Sequence, residues 1–299
     1  MTFARIRHRL AQGRPLVLDS DTCACFRARG VALDTPGAVG LLLRERQHQV
    51  ARHYHAEIER GVDVLCGLTA DTTPRALAEV GMEHRSAALT GAAVELALEA
   101  ASLGTKPVAV AGVLGSDMVG PAAAERLHSE LGEHARRLAA AGCELLLVRG
   151  QGSRIGLMAG VVAAAATDLP VWAAIEVTPA GELVAGGAAG PLLESLADAG
   201  ASVVLFEVPS TDVGVARLRA AADSGLSLGV LLAGGPESVR GFPDGDADTL
   251  RWAARAMELD TNGARVIGGG AGTTEDHTAA LAQALGAAHP SLPPSRTGA

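Results

Sequence analysis

Aromatic residues are scarce in this sequence: Phe, Trp and Tyr together make up 2% of the 299 residues, although 48% are hydrophobic. The core must therefore be built from Ala, Val, Leu, Ile and Gly. Side chains of this kind suit parallel strands that Ala-rich helices cover on both faces. The composition favours an α/β protein, and the length fits either two ordinary domains or one barrel.

Other absences narrow the class of protein. The sequence contains no run of eighteen uninterrupted apolar residues, so it predicts no membrane span. The basic N-terminus is not followed by the apolar stretch that a secretory signal requires. Four cysteines are too few for a disulfide framework in a chain this large. The net charge of −8 offers no electrostatic footprint for nucleic acid. We therefore expect a cytoplasmic protein that binds neither membranes nor nucleic acid.

Short apolar runs alternate with segments of helical periodicity along most of the chain. Each run is almost continuously hydrophobic, as expected of a strand buried on both faces. The predicted strands are 16–18, 62–68, 108–114, 144–148, 171–177, 202–208, 226–232 and 265–267. The predicted helices are 44–60, 86–103, 122–141, 155–167, 190–199, 213–224, 247–258 and 274–286.

This alternation predicts right-handed βα units, and eight of each is the number that closes a TIM barrel. We predict a single (βα)8 TIM barrel over residues 1–288 and a disordered tail over the Pro-rich residues 289–299. An open doubly wound sheet is the alternative. The segment 19–22 after the first strand, Asp-Ser-Asp-Thr, lacks the glycine-rich phosphate fingerprint of that fold.

Function in such a barrel resides at the C-terminal ends of the strands. Asp19 and Arg149 each directly follow a hydrophobic strand, where a buried charge needs a partner or a ligand. The other polar residues predicted at this end are Thr69, Asp71, Glu176 and Glu207. The alternative for each of them is that it pairs with a neighbour or lies in solvent.

Two glycine turns are candidate anion loops. The segment 150–153, Gly-Gln-Gly-Ser, precedes a predicted helix whose N-terminus would help to hold an anion beside Arg149. The alternative is a surface turn, with Arg149 in a salt bridge to Glu176 or Glu207. The segment 234–237, Gly-Gly-Pro-Glu, is weaker evidence and is more typical of a simple turn.

The most informative segment is 265–277, Arg-Val-Ile-Gly-Gly-Gly-Ala-Gly-Thr-Thr-Glu-Asp-His, which predicts a buried strand, a glycine turn and a helix capped by Thr274. It resembles the closing motif Gly-Gly-Cys-Cys-Gly-Thr-Thr-Pro-Glu-His of the homocysteine S-methyltransferase family. The segments 16–19, 35–64 and 199–204 are also similar to that family. The resemblance covers about residues 15–286 and is closest in pattern to betaine–homocysteine methyltransferase and the homocysteine domain of methionine synthase.

The resemblance implies a TIM barrel of transferase lineage that acts on a small amino-acid-type or sulfur-containing substrate. It implies that Asp19 holds the substrate ammonium and that Gly268, Gly269 and Gly270 line the site. A homo-oligomer is expected because family members are frequently oligomeric. The family glutamate on strand four corresponds to Arg149, which would favour a carboxylate, phosphate or sulfonate instead of an amine.

The family's three zinc-ligand cysteines correspond to Val208, Gly270 and Ala271, none of which has a side-chain donor atom. We therefore expect no zinc, no other cofactor and altered chemistry. A relocated metal site at Cys23, Cys25 and Cys66 is the alternative.

Three functions remain open for this sequence. The first is a zinc-free transferase of the family lineage. The second is a metal-independent lyase or hydrolase of specialised metabolism, in which Glu207 or Asp71 acts as general base. The third is a non-catalytic regulatory or partner subunit.

Overall fold

The computed structural model describes residues 2–115, 124–150, 152–234 and 246–289. Its strands are β1 Leu16–Val17, β2 Val64–Cys66, β3 Ala109–Gly115, β4 Leu145–Gly150, β5 Val171–Glu176, β6 Ala201–Val208, β7 Ser227–Leu232 and β8 Val266–Gly269. Its helices are α1 Thr2–Ala11, α2 Thr22–Ala28, α3 Ala38–Glu45, α4 Gln47–Glu59, α5 Pro74–Ala78, α6 Ser86–Leu103, α7 Ala124–Ala141, α8 Arg154–Ala165, α9 Ala189–Asp198, α10 Thr211–Ala221, α11 Asp246–Thr261 and α12 Glu275–Ala288.

The eight strands form one parallel sheet in the order β1-β8-β7-β6-β5-β4-β3-β2. A parallel bridge between Leu18 and Val64 joins the two edge strands and closes the sheet. Each predicted strand is present, with ends that differ by a few residues. The predicted (βα)8 TIM barrel is therefore confirmed.

Strand alternation fills the barrel and orients its polar end. Leu145 and Leu147 of β4 pack in the interior cluster with Val203 and Leu205 of β6. Successive side chains of a strand point to opposite faces, so the residues two positions further, Arg149 and Glu207, also point into the barrel. The inward faces of β4 and β6 are therefore apolar along most of their length and polar at the C-terminal end.

Helix α1 covers the opposite end of the barrel. Ile6 is 4% exposed and belongs to the same cluster as the interior strand residues Leu16 and Val266. Apolar packing of α1 thus covers the interior at the N-terminal ends of the strands, whereas Arg149 and Glu207 lie at the C-terminal ends.

The structure has three helices that the sequence analysis did not predict, α1, α2 and α5, and it also divides the expected helix 44–60. Residues 44 and 45 are the end of α3, and most of the remaining segment is α4, which begins after Arg46. The backbone of Arg46 has φ −139° and ψ 40°, which is not helical, so the chain turns there. This turn lets α3 and α4 each place an apolar face on the same cluster, with Leu43 and Val50 fully buried.

The structure bears on two further predictions, the lack of a membrane span and the disordered tail, only through the residues that it describes. One described helical segment, Glu83–Leu103, is long and apolar enough to cross a membrane by length and composition; it includes α6, which packs against α4, α7 and β3. His289, the first residue of the predicted tail, contacts Asp260 with 2.7 Å between Nε2 and Oδ2. Residues 290–299 lie outside the described part of the chain, and the tail stays a prediction.

Candidate functional site

An ion pair crosses the mouth of the barrel. Arg149 Nε and Nη2 both donate to Oε1 of Glu207, at 2.9 and 2.8 Å. The Arg149 side chain is 41% exposed and that of Glu207 is 24% exposed, so water reaches both. The carboxylate of Glu207 raises the pKa of Arg149 further above its ordinary value. Of the two sequence interpretations of Arg149, the structure has the salt bridge to Glu207.

Asp19 is a buried carboxyl group next to this pair. It is 3% exposed, and its Oδ2 accepts a hydrogen bond from the backbone N–H of Cys66 at 2.7 Å. Burial raises the pKa of Asp19 to about 6, although the hydrogen bonds from Cys66 and the charge of Arg149 oppose this shift. A cationic group that enters the mouth would be attracted to Asp19 and would stabilise its ionised form.

Cys66 points into the barrel beside Asp19. Burial, together with the charge of Asp19, raises the pKa of the Cys66 thiol well above its usual value. The thiol is therefore protonated at neutral pH, and it contributes a small neutral surface to the mouth instead of a nucleophile.

The other predicted site residues, Thr69, Glu176 and Asp71, differ in burial and in the groups that they contact. Thr69 is fully buried, and its hydroxyl is engaged by strand β3, accepting from Val113 N at 2.8 Å and lying 2.9 Å from Val113 O. Glu176 lies at the end of β5 with an exposed side chain. Asp71 is exposed and lines a separate cavity. Asp19, Arg149 and Glu207 lie together, whereas the Thr69 hydroxyl is bonded to β3 and Asp71 lines the neighbouring cavity.

The separate cavity has a volume of about 500 Å³ and lies between the segments that follow β1 and β2, the last residue of β3 and helix α7. One wall is apolar and includes Leu33 and Leu131. Arg75 is the cation of its described lining and pairs with Glu130. The carboxylates that line it are Asp34, Asp71, Glu79 and Glu130, so the cavity has an excess of negative charge.

The glycine segment packs tightly against its neighbours. A Cβ atom on Gly270 would lie 2.9 Å from Ala233 N and 3.0 Å from Leu231 O, which are backbone atoms at the end of β7. A Cβ on Gly268 would lie 2.8 Å from Leu18 Cβ. The predicted lining residues Gly268, Gly269 and Gly270 therefore bring the end of β8 closer to its neighbours than a side chain would permit.

The positions that correspond to the family's zinc ligands do not fit a metal ion. Val208 is buried on the outer side of β6, where its Cγ2 lies 3.3 Å from the place of a Cβ on Gly214 of α10. Gly270 has no room for a longer side chain, and Ala271 is exposed. None of the three offers an oxygen, nitrogen or sulfur side-chain atom.

The predicted alternative metal site is not assembled either. Cys23 is exposed and lines the 500 Å³ cavity, Cys25 is buried on α2, and Cys66 points into the barrel. Within the described residues, the group of His, Cys, Asp and Glu side chains close enough to share an ion contains Cys25 but neither of the other two.

Both predicted anion loops lie partly outside the described residues. In the first, Ser153 caps α8 by accepting from Gly156 N at 3.1 Å, while Gln151 is outside the described ranges. In the second, residues 235–237 are outside them. The Thr274 cap is confirmed: α12 begins after Thr274, whose backbone N–H donates to His277 Nδ1 at 3.1 Å.

Sequence reasoning missed a buried acid next to the mouth. Glu57 of α4 is fully buried, and the Ser20 hydroxyl donates to its Oε1. Burial and the charge of Asp19 raise the pKa of Glu57 to about 7. The signal was available, because Glu57 shares a helix face with the apolar Val50 and Tyr54 at helical spacing.

A closed parallel (βα)8 barrel with charged side chains at the C-terminal mouth defines a TIM-barrel protein with the usual location of a small-molecule site. A sequence model of the homocysteine S-methyltransferase family matches residues 16–285. Because that match spans most of the chain, the protein belongs to the homocysteine S-methyltransferase family.

Solved structures agree with this fold. The chain is similar to the homocysteine methyltransferase MmuM from Escherichia coli in its metallated form, with TM-score 0.78, 21% identity and coverage of 93% of this chain and 99% of that one. The apo form of MmuM gives TM-score 0.71 and 19% identity, covering 90% and 95%. Pyruvate carboxylase from Rhizobium etli gives TM-score 0.51 and 14% identity, covering 90% of this chain but 24% of that one. No curated protein sequence gives a significant match.

Proposed function

We propose that this protein is a zinc-independent transferase of the homocysteine S-methyltransferase lineage that acts on a small amino-acid-type or sulfur-containing substrate. The observation that carries the proposal is at Gly270. A ligand side chain there would meet the backbone of β7 at about 3 Å, and the other two family ligand positions, Val208 and Ala271, have no donor atom. The family's zinc-ligand cysteines are thus absent, and at Gly270 the packing against β7 also leaves no space for a cysteine side chain.

The charges at the mouth support an amino-acid-type ligand. Asp19 offers a buried carboxylate to an ammonium group, and its pKa of about 6 would fall as that cation binds. Arg149 offers a guanidinium to a carboxylate, provided that the ligand competes with Glu207 for it. The two groups together match the two charges of an amino acid.

The neighbouring cavity supports a cationic second substrate. Its carboxylates outnumber its cation, and its apolar wall suits the carbon skeleton of a sulfonium or ammonium methyl donor. In the proposed reaction the substrate sulfur forms a bond to the donor's methyl carbon. The bond between that carbon and the donor heteroatom breaks, and its electron pair returns to the heteroatom and neutralises the donor.

A zinc-independent reaction has a distinctive pH dependence. A thiol with a pKa of about 8.5 is mostly protonated at neutral pH, and no Lewis acid would hold it as thiolate. Its proton must leave to water before methyl transfer. The rate should therefore rise about tenfold per pH unit below the thiol pKa, if the thiolate is the species that reacts.

The test is methyl transfer to homocysteine from S-methylmethionine or S-adenosylmethionine, before and after treatment of the protein with a strong chelator. We expect the activity to survive chelation and to fall in Asp19→Asn through a raised KM. Asp223→Asn, at an exposed position after α10, is the matched control and should leave KM unchanged. Activity that chelation abolishes and zinc restores, in a stripped protein whose Tm is unchanged, would overturn the proposal.

A metal-independent lyase or hydrolase is the second candidate, and one observation favours it. Asp71 lines the 500 Å³ cavity together with Cys23, where a substrate of amino-acid size would have room. Asp71 is therefore the general base that we assign to this second function. Conversion of an amino-acid substrate without any methyl donor, lost in Asp71→Asn, would support this function over methyl transfer.

We further propose, from composition and family resemblance alone, a cytoplasmic location and a homo-oligomer.

A further inference from the structure

A second group of potential ligands lies outside the barrel mouth, where α2, α4 and the start of α12 meet. Cys25 Sγ, a ring nitrogen of His53 and a carboxylate oxygen of Glu275 all lie within 4.8 Å of one another. Cys25 is 1% exposed and His53 is fully buried, while the side chain of Glu275 is 13% exposed. Three residues from three separate helices thus present different donor types to one buried point.

The spacing is close to what a tetrahedral ion requires. Zinc binds thiolate at about 2.3 Å and imidazole or carboxylate at about 2.0–2.2 Å, which places neighbouring donor atoms roughly 3.3–3.6 Å apart. His53 Nδ1 and Glu275 Oε1 are 3.1 Å apart, close to that value. The other separations within the group are at most 4.8 Å, so they exceed the tetrahedral spacing by no more than about 1.5 Å, which side-chain torsions can supply.

Two buried polar atoms beside the group have no hydrogen-bond partner among the described residues: His53 Nε2 and Glu57 Oε2. Unpartnered buried polar atoms are uncommon because each one costs free energy. Glu57 is linked to the group through Ser20, whose hydroxyl donates to Glu57 Oε1 and lies 3.2 Å from Cys25 Sγ. The carboxylate of Glu57 therefore places an oxygen without a hydrogen-bond partner among the described residues on the inner side of the group.

A cation already contacts this group. Arg29 pairs with Glu275 and lies 3.5 Å from His53 Nδ1 through its Nη1. Its side chain is 32% exposed, so it can turn toward solvent without crossing the core. The position thus attracts positive charge in the structure, and a divalent ion would compete with Arg29 for the same carboxylate.

We propose that Cys25, His53 and Glu275 bind one divalent transition-metal ion with the coordination preferences of Zn²⁺. The site is separate from the barrel mouth and from the positions of the family's zinc ligands. It ties α2, α4 and α12 together next to the contact of Asp21 with Gly272, where the Gly272 N–H donates to Asp21 Oδ2 at 2.9 Å. The bound ion stabilises the joint between the segments after β1 and β8.

Cobalt titration tests this site directly. Full-length protein is stripped with a chelator and titrated with Co²⁺, which reports a thiolate ligand by near-ultraviolet charge-transfer absorption. We expect saturation at one equivalent and a rise in Tm, because a ligand that binds only the folded state stabilises it. Cys25→Ser should remove the charge-transfer band. Cys143→Ser, at a buried cysteine of the hydrophobic core outside the group, should retain it.

A second variant keeps the test decisive if Cys25→Ser does not fold. Arg29→Ala removes the competing cation and should bind Co²⁺ about tenfold more tightly than the unaltered protein. Absence of a charge-transfer band in the unaltered protein, an unchanged band in Cys25→Ser, or unchanged or weaker binding in Arg29→Ala would each overturn the site. Methyl transfer by chelated protein is measured separately, so this proposal and the proposed function can fail independently.

Discussion

Arg149 and Glu207 neutralise each other at the barrel mouth, with the Nε and Nη2 atoms of Arg149 2.9 and 2.8 Å from Oε1 of Glu207. The pair joins β4 to β6 across β5, where Arg149 is in register with Ala174 and Glu207 is in register with Glu176. Because the two side chains form an ion pair, an anionic ligand must compete with Glu207 for Arg149. A cationic ligand must likewise compete with Arg149 for Glu207. The selectivity of the mouth therefore depends on this contact.

The first prediction concerns that contact. Glu207→Gln removes the competing carboxylate, so succinate or sulfate should bind about tenfold more tightly, a gain of about 1.4 kcal/mol. Isothermal titration of the two proteins measures the change. Arg149→Ala combined with Glu207→Gln should abolish the gain, whereas Arg5→Ala, on the exposed face of α1 at the other end, should not affect it. Equal affinities in Glu207→Gln and the unaltered protein would contradict this role of Arg149.

The second prediction concerns the close packing of Gly270 against the backbone at the end of β7. Gly270→Ala should lower the free energy of unfolding by about 1–3 kcal/mol, because its Cβ would press on the backbone of β7. Gly286→Ala is the control: this α12 glycine has nothing within 4 Å of an added Cβ, so the change should raise stability by about 0.5–1 kcal/mol. Urea unfolding measures both. A Gly270→Ala protein as stable as the unaltered one would mean that the site has room for a ligand side chain.

The third prediction concerns Thr69, whose hydroxyl is bonded to the backbone of Val113 on β3. Thr69→Val should cost about 1–3 kcal/mol of unfolding free energy, because it leaves buried backbone groups unpaired. Ser102→Ala, which removes an exposed hydroxyl bonded to Glu99 O, should change stability little. If Thr69→Val instead raises KM and leaves stability unaltered, Thr69 contacts substrate.

The fourth prediction concerns pH. Burial raises the pKa of Asp19 to about 6 and that of Glu57 to about 7, above the ordinary values of 3.8 and 4.5. The folded protein therefore binds more protons than the unfolded chain between about pH 4 and 7, and the contribution of these groups to stability decreases as pH rises through that window. Glu57→Gln should reduce the difference in urea midpoint between pH 5 and pH 8.

The control for this experiment is Glu59→Gln, two residues further along α4 at an exposed position. It should leave the pH dependence as it is. A Glu57→Gln protein with the same pH dependence as the unaltered one would mean that Glu57 does not titrate in this range.

The sequence predicted the strands well because each is a short apolar run bounded by polar or glycine-containing turns. It predicted Asp19, Arg149 and Glu207 for a related reason: a charged residue that directly follows a buried strand must lie at the rim of the sheet. It misplaced the boundary at Arg46, because the residues around that position have no proline or glycine to mark the break. It missed Glu57, although the spacing of Glu57 from Val50 and Tyr54 places it on the apolar face of α4.

By itself, the sequence determined the barrel, its family and the absence of donor atoms at Val208, Gly270 and Ala271, since these follow from residue identity and periodicity along one chain. Only the tertiary structure decided which charges meet. The pairing of Arg149 with Glu207 and the convergence of Cys25, His53 and Glu275 join residues 28 to 250 positions apart in the sequence. Such contacts depend on where strands and helices lie in space, and no local pattern encodes that.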